Sequence, residues 1–321
     1  MLASAYPRLF GAVAFFCVCA GPTVGQEIEF RGICDGSAAV ALDDQTLLVA
    51  YDESNRLYSV LTSGDAVARS KKLKKELGLT AKGEMDLEGA ARDGDRIWWI
   101  GSHGTNKSGE PRENRRALFA TNVPSADLKD LKPVDGPADL LPVLTANAEL
   151  AEILTAEILA KPPKQGGLNI EGLAVHPDGG LLLGLRAPLT GTWGVSGKAL
   201  LVHIQQDGGD WQVRGVHRLD LVGRGVRDLA RDGDDILILA GAVDEESPFA
   251  LYRWDGAGTP TEIDATALQG IRPEALVQVG AQWLALSDDG KLEREGETCD
   301  KIREEDKDDR RVFFRGRAFA P

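Results

Sequence analysis

Apolar and polar positions follow one phrase that recurs along the chain. The phrase is an acidic residue, a short apolar strand, a tight turn and a second apolar strand that ends in polar residues. It is clearest in the run from Asp86 to His103. Short apolar runs bounded by turn residues predict β-strands. The phrase starts five times, at Asp35, Glu88, Glu171, Asp228 and Glu274. Such an internal repeat indicates units that share their core with their neighbours.

Three or four short strands in each unit are typical of a β-propeller blade. We therefore predict an all-β fold, a propeller of five blades. A sixth, degenerate blade in residues 122–168 or at the C-terminus is the open alternative. The alternating run Glu27–Phe30 is predicted to complete the last blade beside the C-terminal strand at residues 311–319.

Two segments depart from the repeat. Apolar residues between 150 and 159 recur at helical spacing, so one amphipathic helix is predicted near 144–161 as an insertion in the propeller. Pro162 and Pro163 would end it. The run Asp300–Arg311 is almost wholly charged and is predicted to be a solvated loop.

The first 25 residues have the pattern of a secretory signal. Arg8 precedes an apolar run over residues 9–20, and Gly21 and Pro22 follow it. We therefore expect residues 1–25 to be a signal peptide and residues 26–321 to form a single propeller domain. The expected location is the periplasm or the extracellular space, and no later stretch is apolar enough to span a bilayer.

Two cysteines remain after the predicted signal, Cys34 before the first unit and Cys299 after the last. An even pair in an oxidising compartment predicts a disulfide. That disulfide would join the first unit to the last.

The chain is acidic, with 50 Asp and Glu residues against 37 Lys and Arg residues. Nucleic acid and anionic membranes should repel it. We expect a monomer whose partner is a small anionic or ester substrate.

The inner strand of each propeller blade lines a central channel. The acid at the start of each predicted inner strand would therefore point to one mouth of that channel: Asp35, Glu88, Glu171, Asp228 and Glu274. The second strand of each blade runs back antiparallel and ends at the same mouth. This adds Asp52, Asp244, Asp288, His103 as a candidate proton-transfer group and Arg186 as a candidate anion ligand.

Five like charges in a narrow mouth need raised pKa values, a bound cation or paired arginines. Carboxylate oxygens favour Ca²⁺ or Mg²⁺, and no organic cofactor is expected. In the alternative interpretation, each acid bonds backbone amides of the next blade and only holds the ring together. The pattern favours neither interpretation over the other.

Four phrases resemble a family of exported bacterial proteins defined by a domain of unknown function, DUF3616: residues 86–91, 98–103, 115–119 and 169–174. The Glu-Gly-Leu-Ala phrase is also similar to phytase-like esterase propellers. That similarity implies a calcium-dependent phosphoesterase in which Glu88 and Glu171 match. A phytase-type cluster of phosphate-binding lysines and arginines is not evident in the sequence.

The leading hypothesis is thus an exported hydrolase, phosphoesterase-like and dependent on a divalent cation. One alternative is a noncatalytic binding or scaffold propeller whose acids are structural. Another is a lactonase-type hydrolase. Fold alone does not choose among them, because propellers carry many functions.

Overall fold

The computed structural model describes residues 24–65, 68–79, 83–191, 197–243 and 248–321. The predicted signal peptide, apart from Val24 and Gly25, lies outside the described residues. Within those ranges, no helix is both long and apolar enough to cross a membrane.

Strands dominate the described residues and form five four-stranded antiparallel sheets, the blades, and one short hairpin. The first strand, β1 (Glu27–Arg31), belongs to the last blade. Blades 1 and 2 consist of β2 (Ala38–Asp43), β3 (Thr46–Ala50), β4 (Arg56–Leu61) and β5 (Arg69–Lys72), then β6 (Leu87–Asp93), β7 (Arg96–Gly101), β8 (Leu118–Asn122) and β9 (Pro133–Ala138).

The later blades follow the same order from the channel outwards. Blades 3 and 4 consist of β10 (Asn169–Val175), β11 (Leu181–Thr190), β12 (Lys198–Asp207) and β13 (Asp210–Leu219), then β14 (Gly225–Asp232), β15 (Asp235–Gly241), β16 (Ala250–Trp254) and β17 (Thr261–Ile263). Blade 5 contains β18 (Pro273–Val279), β19 (Gln282–Ser287) and β22 (Phe313–Phe319), and the hairpin is β20 (Glu293–Arg294) with β21 (Glu297–Thr298).

The inner strands β2, β6, β10, β14 and β18 contact one another in sequence, and β18 contacts β2. The predicted five-bladed propeller is therefore confirmed. Apolar cores fill the spaces between adjacent blades; between blades 1 and 2, for example, Leu48, Trp99 and Phe119 are fully buried. Packing between blades, rather than within one sheet, holds the ring together.

The last blade is closed by the two ends of the chain. β1 pairs with β22 from Glu27 opposite Arg317 to Arg31 opposite Phe313, as predicted. The disulfide between Cys34 and Cys299 is present, with both cysteines buried and their Cα atoms 5.7 Å apart. In the chain-entropy account, closing a loop of 265 residues stabilises the fold by roughly 5–6 kcal/mol.

A one-residue register shift interrupts each inner strand of blades 2 to 5 near its start. The unpaired residues are Glu88, Glu171, Arg227 and Glu274. A β-bulge re-aims the side chain of its extra residue, and bulges are frequent beside functional sites. The register thus makes Arg227, not Asp228, the counterpart of the three glutamates in blade 4.

The residue after the bulge in blade 3 must be small, because neighbouring blades converge there. A Cβ atom on Gly172 would lie 2.7 Å from Cγ of Leu229 in blade 4. Only glycine fits such an approach without displacing the next blade.

The prediction of a single helix near 144–161 is wrong, because the helical segment is not continuous. The segment contains three short helices, α1 (Leu141–Ala146), α2 (Ala148–Ala151) and α3 (Ala156–Leu159). Asn147 caps the backbone amides of α2 and Thr155 caps an amide of α3, so each polar residue starts a new helix. The same interruption also supplies β9, the outer strand of blade 2, rather than a sixth blade.

The prediction of a solvated loop over Asp300–Arg311 is also wrong in part. Residues Cys299–Glu305 form a helix, α4, in which Cys299 and Ile302 are buried. The charge pattern hid this helix because only one of its turns faces the apolar core.

Candidate cation site at the channel mouth

A cavity of about 550 Å³ opens at the end of the channel where the inner strands begin. The charged residues among the described side chains that line it are Asp52, Glu53, Asp86, Glu88, Lys107, Arg115, Lys164, Glu171, Arg186, Glu274, Asp288 and Lys291. Seven are carboxyl and five are basic side chains, which leaves a formal excess of two negative charges. One divalent cation would balance that excess.

A second cavity, of about 610 Å³, lies at the opposite end of the channel. Alanine, valine and leucine side chains provide much of its wall, including Ala90 and Ala174. The charged residues among its described lining are Arg92, Asp93 and Arg231, so the carboxyl groups gather mainly at the acidic mouth.

Three carboxylates at the acidic mouth form what we call the cation group: Asp52, Asp86 and Glu88. One oxygen from each lies within 4.8 Å of the others. Asp52 follows β3, Asp86 precedes β6, and the bulge in β6 turns Glu88 into the channel. Three carboxylate oxygens at this spacing suit calcium or magnesium better than softer metals.

A fourth carboxylate, Asp35, lies buried beside the cation group. It is 2% exposed, and its backbone pairs with Asp288 across blades 1 and 5. Its Oδ1 has no hydrogen-bond partner within the described part of the chain. A buried carboxylate oxygen of this kind needs a proton or a cation.

Burial and mutual repulsion disturb the protonation of these groups. Burial first, and then neighbouring carboxylates, raise the pKa of Asp35, Asp52 and Glu88 well above the ordinary values. Burial raises the pKa of Asp86 to about 6, although Arg115 opposes the shift. Without a cation, the mouth therefore retains protons at a pH where free carboxyl groups have lost them.

This retention predicts an unusual pH dependence of stability in calcium-free buffer. For Glu274, burial raises the pKa from 4.5 to about 7, and Arg227 opposes the shift. Because the folded protein binds more protons than the unfolded chain between these values, its stability falls as the pH rises. We expect a loss of at least about 2 kcal/mol between pH 5 and pH 7.5, measured by urea unfolding.

Saturating calcium should remove the part of this pH dependence that comes from Asp52, Asp86 and Glu88, because a cation there replaces the retained protons. The part that comes from Glu274, which pairs with Arg227, should remain. A calcium-free protein whose stability is constant or rises from pH 5 to pH 7.5 would contradict the prediction.

Two predicted metal ligands, Glu171 and Glu274, are already paired with arginines. Oε1 of Glu171 accepts from Arg186 at 2.9 Å and Oε2 lies 3.2 Å from Nε of Arg227. Arg227 also pairs with Glu274 and is 2% exposed. Both glutamates line the cavity as predicted, but arginines rather than a cation compensate their charge.

The predicted anion ligand Arg186 is an extra residue in β11, opposite the start of β10. It lines the cavity but is 6% exposed, and it also donates to the carbonyl of Val243 at 2.9 Å. Its guanidinium is thus held by Glu171 and by Val243, and its role as an anion ligand stays a prediction.

The assignment of Asp228 to the acidic mouth is corrected. Asp228 follows the bulge residue, and its Oδ2 accepts from the amide of Leu276 in blade 5 at 2.6 Å. Burial raises the pKa of this carboxyl well above its usual value. Asp228 thus joins two blades, as the structural interpretation proposed for every acid.

The assignment of His103 to proton transfer is likewise not supported by its geometry. The ring is 3% exposed; Nε2 accepts from the amide of Leu140 at 3.2 Å, and Nδ1 lies 2.9 Å from the carbonyl of Gly101. Burial lowers the pKa of His103. Both nitrogens therefore serve the backbone, and the ring anchors α1 to the loop after β7.

The other residues predicted to lie near the mouth also have different outcomes. Asp52 and Asp288 line the cavity. Asp244 lies outside the described residues.

Sequence reasoning missed Asp86 and Arg115 as parts of the site. Asp86 stands two residues before Glu88, and alternate residues of a strand share a face. That spacing was the available signal. The salt bridge of 2.9 Å between Arg115 and Asp86 joins parts of blade 2 that are 29 positions apart, so no local pattern reveals it.

A family described as "Protein of unknown function (DUF3616)" matches the chain over residues 36–123 and 120–282. No curated protein matches the chain significantly. A putative oxidoreductase (glucose dehydrogenase) from Thermus thermophilus is similar in structure, with 16% identity, a TM-score of 0.46, and coverage of 92% of this chain and 99% of that one.

Two further solved structures are similar. A luciferin-regenerating enzyme has 8% identity and a TM-score of 0.44, over 92% of this chain and 95% of that one. The lectin of Aleuria aurantia, a six-bladed β-propeller, has 13% identity and a TM-score of 0.38, over 81% of this chain and 69% of that one. At such identities nothing about activity follows.

Proposed function

The chain belongs to the DUF3616 family of proteins of unknown function, and we propose that it is an exported hydrolase of anionic esters that depends on a divalent cation. Phosphoesters are the substrate class that we propose, and calcium is the cation that we propose. The observation that carries the proposal is the cation group, in which oxygens of Asp52, Asp86 and Glu88 lie within 4.8 Å of one another in the wall of a cavity.

The charged residues that line the cavity support this function more than the shape of the cavity does. The cavity holds two more carboxylates than basic groups, and the unpartnered oxygen of Asp35 lies buried beside it. Asp86 pairs with Arg115, but among the described side chains Asp52 and Glu88 have no arginine partner of the kind that compensates Glu171 and Glu274. The cation group is therefore the part of the ring where an added cation would relieve most repulsion.

A bound calcium ion would supply Lewis-acid polarisation of the ester or activation of water. Asp52, Asp86 and Glu88 would hold it, and Arg186 would attract the anionic part of the substrate from blade 3. Glu274 lines the same cavity, and its pKa of about 7 allows proton exchange near neutral pH. Glu274 thus takes the role that the sequence suggested for His103.

A noncatalytic propeller with structural acids is the second candidate. Asp228, which bonds the amide of Leu276, favours it, as does the bridge from Glu171 through Arg227 to Glu274. These contacts explain three acids of the ring but leave the cation group unexplained. A lactonase-type reaction at the same cation group would need the same residues, so substrate assays must separate the two hydrolases.

Thermal melting with calcium and with a chelator tests the cation, and turnover tests the reaction. We expect calcium at 100 times its dissociation constant to stabilise the fold by about 2.7 kcal/mol. Turnover of p-nitrophenyl phosphate or bis(p-nitrophenyl) phosphate should require calcium, while a panel of γ- and δ-lactones should be cleaved slowly or not at all.

Magnesium serves as the comparison cation in both measurements. The absence of any calcium shift together with no turnover on either panel would reject the hydrolase and leave the structural propeller. A calcium shift with lactone turnover alone would replace the phosphoester class.

A further inference from the structure

Asp86 is fixed more firmly than its two partners in the cation group. Its φ is 53°, in the left-handed region that costs energy for most residues other than glycine. The residue is also buried. Such a conformation persists where surrounding contacts determine it, which here are contacts to the backbone carbonyl and to the carboxylate.

The contacts to the carboxylate use one oxygen. The hydroxyl of Ser102 donates to Oδ2, and NH1 of Arg115 lies 2.9 Å from the same Oδ2. Because both partners engage Oδ2, Oδ1 is the oxygen that is left for a cation.

Ser102 is itself held in place. It is fully buried, its amide donates to the carbonyl of Asp86 at 3.0 Å, and its Oγ accepts from the amide of Gly104 at 3.2 Å. With an amide donor on one side, the hydroxyl proton is directed to the carboxylate on the other.

We propose that Ser102 is a positioning residue for the cation: with Arg115 it occupies Oδ2 of Asp86 and so directs Oδ1 to the metal. The inference rests on the proposed cation site and adds to it the residue that orients a ligand. Hydrogen-bonding partners of metal ligands typically change metal affinity by about 10- to 100-fold when removed.

Ser102→Ala tests the inference without changing charge. Isothermal titration of the full chain with calcium should show a dissociation constant about ten times higher than that of the wild type. Ser287→Ala is the matched control. Ser287 is also fully buried and donates to a carboxylate, Asp289, at 2.9 Å, but that carboxylate is bound to Arg315 rather than to the cation group. The control should keep the wild-type affinity.

A double-mutant cycle separates positioning from a general loss of stability. In an Asp86→Ala background, the removal of the Ser102 hydroxyl should no longer weaken calcium binding, because the oxygen to which it donates is gone. An effect of equal size in both backgrounds would overturn the inference. So would a Ser102→Ala protein with wild-type affinity, although the proposed function would then stand.

The two failures are distinguishable, because a wild-type chain that binds no calcium rejects the cation site itself and the inference with it. If Ser102→Ala does not fold, Asp86→Glu moves the carboxylate away from both partners while keeping its charge. That variant should also bind calcium about ten times more weakly, and unchanged affinity would count against the positioning role.

Discussion

Glu88→Gln is expected to lower calcium-dependent kcat/KM by about 100-fold or more while the fold survives. Glu88 contributes an oxygen to the cation group and points into the channel from a bulge. Removal of a neighbour that only orients a ligand already weakens metal binding by about 10- to 100-fold, so loss of the ligand's charge should cost at least as much.

The stability of the same variant should move in the opposite direction. Burial and the charges of Glu171, Asp86 and Asp52 raise the pKa of Glu88 well above its ordinary value. A neutral amide removes one repelling charge, so the calcium-free variant should unfold at the same temperature as the wild type or higher. This combination of lost function and retained stability is expected where a site is strained for its task.

Glu76→Gln provides the matched control, because it makes the same charge change at an exposed position. It should leave turnover, calcium affinity and melting temperature unchanged. If Glu88→Gln keeps wild-type turnover, the cation group is not the reaction centre. If it destabilises the calcium-free fold by more than about 2 kcal/mol, Glu88 holds blades together instead.

The propeller could be predicted from the sequence because repetition is a local signal. Each copy carries its own strands and turns, and the pairing of Glu27–Arg31 with the C-terminal strand follows from closure of the ring. The disulfide was predictable for the same reason, since Cys34 and Cys299 flank the repeat.

The exact residues of the site were harder to predict from the sequence, because a shift of one residue in strand register changes where a side chain points. Asp228 looks like the repeated acid, but the bulge in β14 puts Arg227 in that place. The ring is therefore four acids with one arginine, and that arginine compensates its neighbours. Similarly, His103 ends a strand at the mouth, yet its left-handed backbone, with φ 56°, takes the ring to the amide of Leu140 instead.

The arginine in the ring has the largest expected effect on stability. Arg227→Met should lower the free energy of unfolding by about 3–5 kcal/mol at pH 8, because it leaves buried carboxylates without their partner. Arg227 bridges Glu171 in blade 3 and Glu274 in blade 5, and its guanidinium lies 5.9 Å from the ring centre of Phe249. Methionine keeps most of the packing volume, so the loss measures charge rather than a cavity.

Protonation of Glu274 at lower pH should reduce the destabilisation that Arg227→Met causes. Arg227 lowers the pKa of Glu274, which burial still raises to about 7. Without Arg227 that pKa rises further, Glu274 becomes neutral near pH 6, and the destabilisation should shrink there. Urea unfolding of the variant at pH 6 and pH 8 measures the difference.

Two comparisons identify the origin of the effect. Arg214→Met removes an exposed arginine that pairs with Asp207 at 3.2 Å and should cost less than about 1 kcal/mol. Adding Glu274→Gln to Arg227→Met removes the stranded charge and should restore part of the stability. A loss below about 1 kcal/mol for Arg227→Met at pH 8 would mean that the bridge is not what compensates the acids of blades 3 and 5. The cation would then have to serve the whole ring.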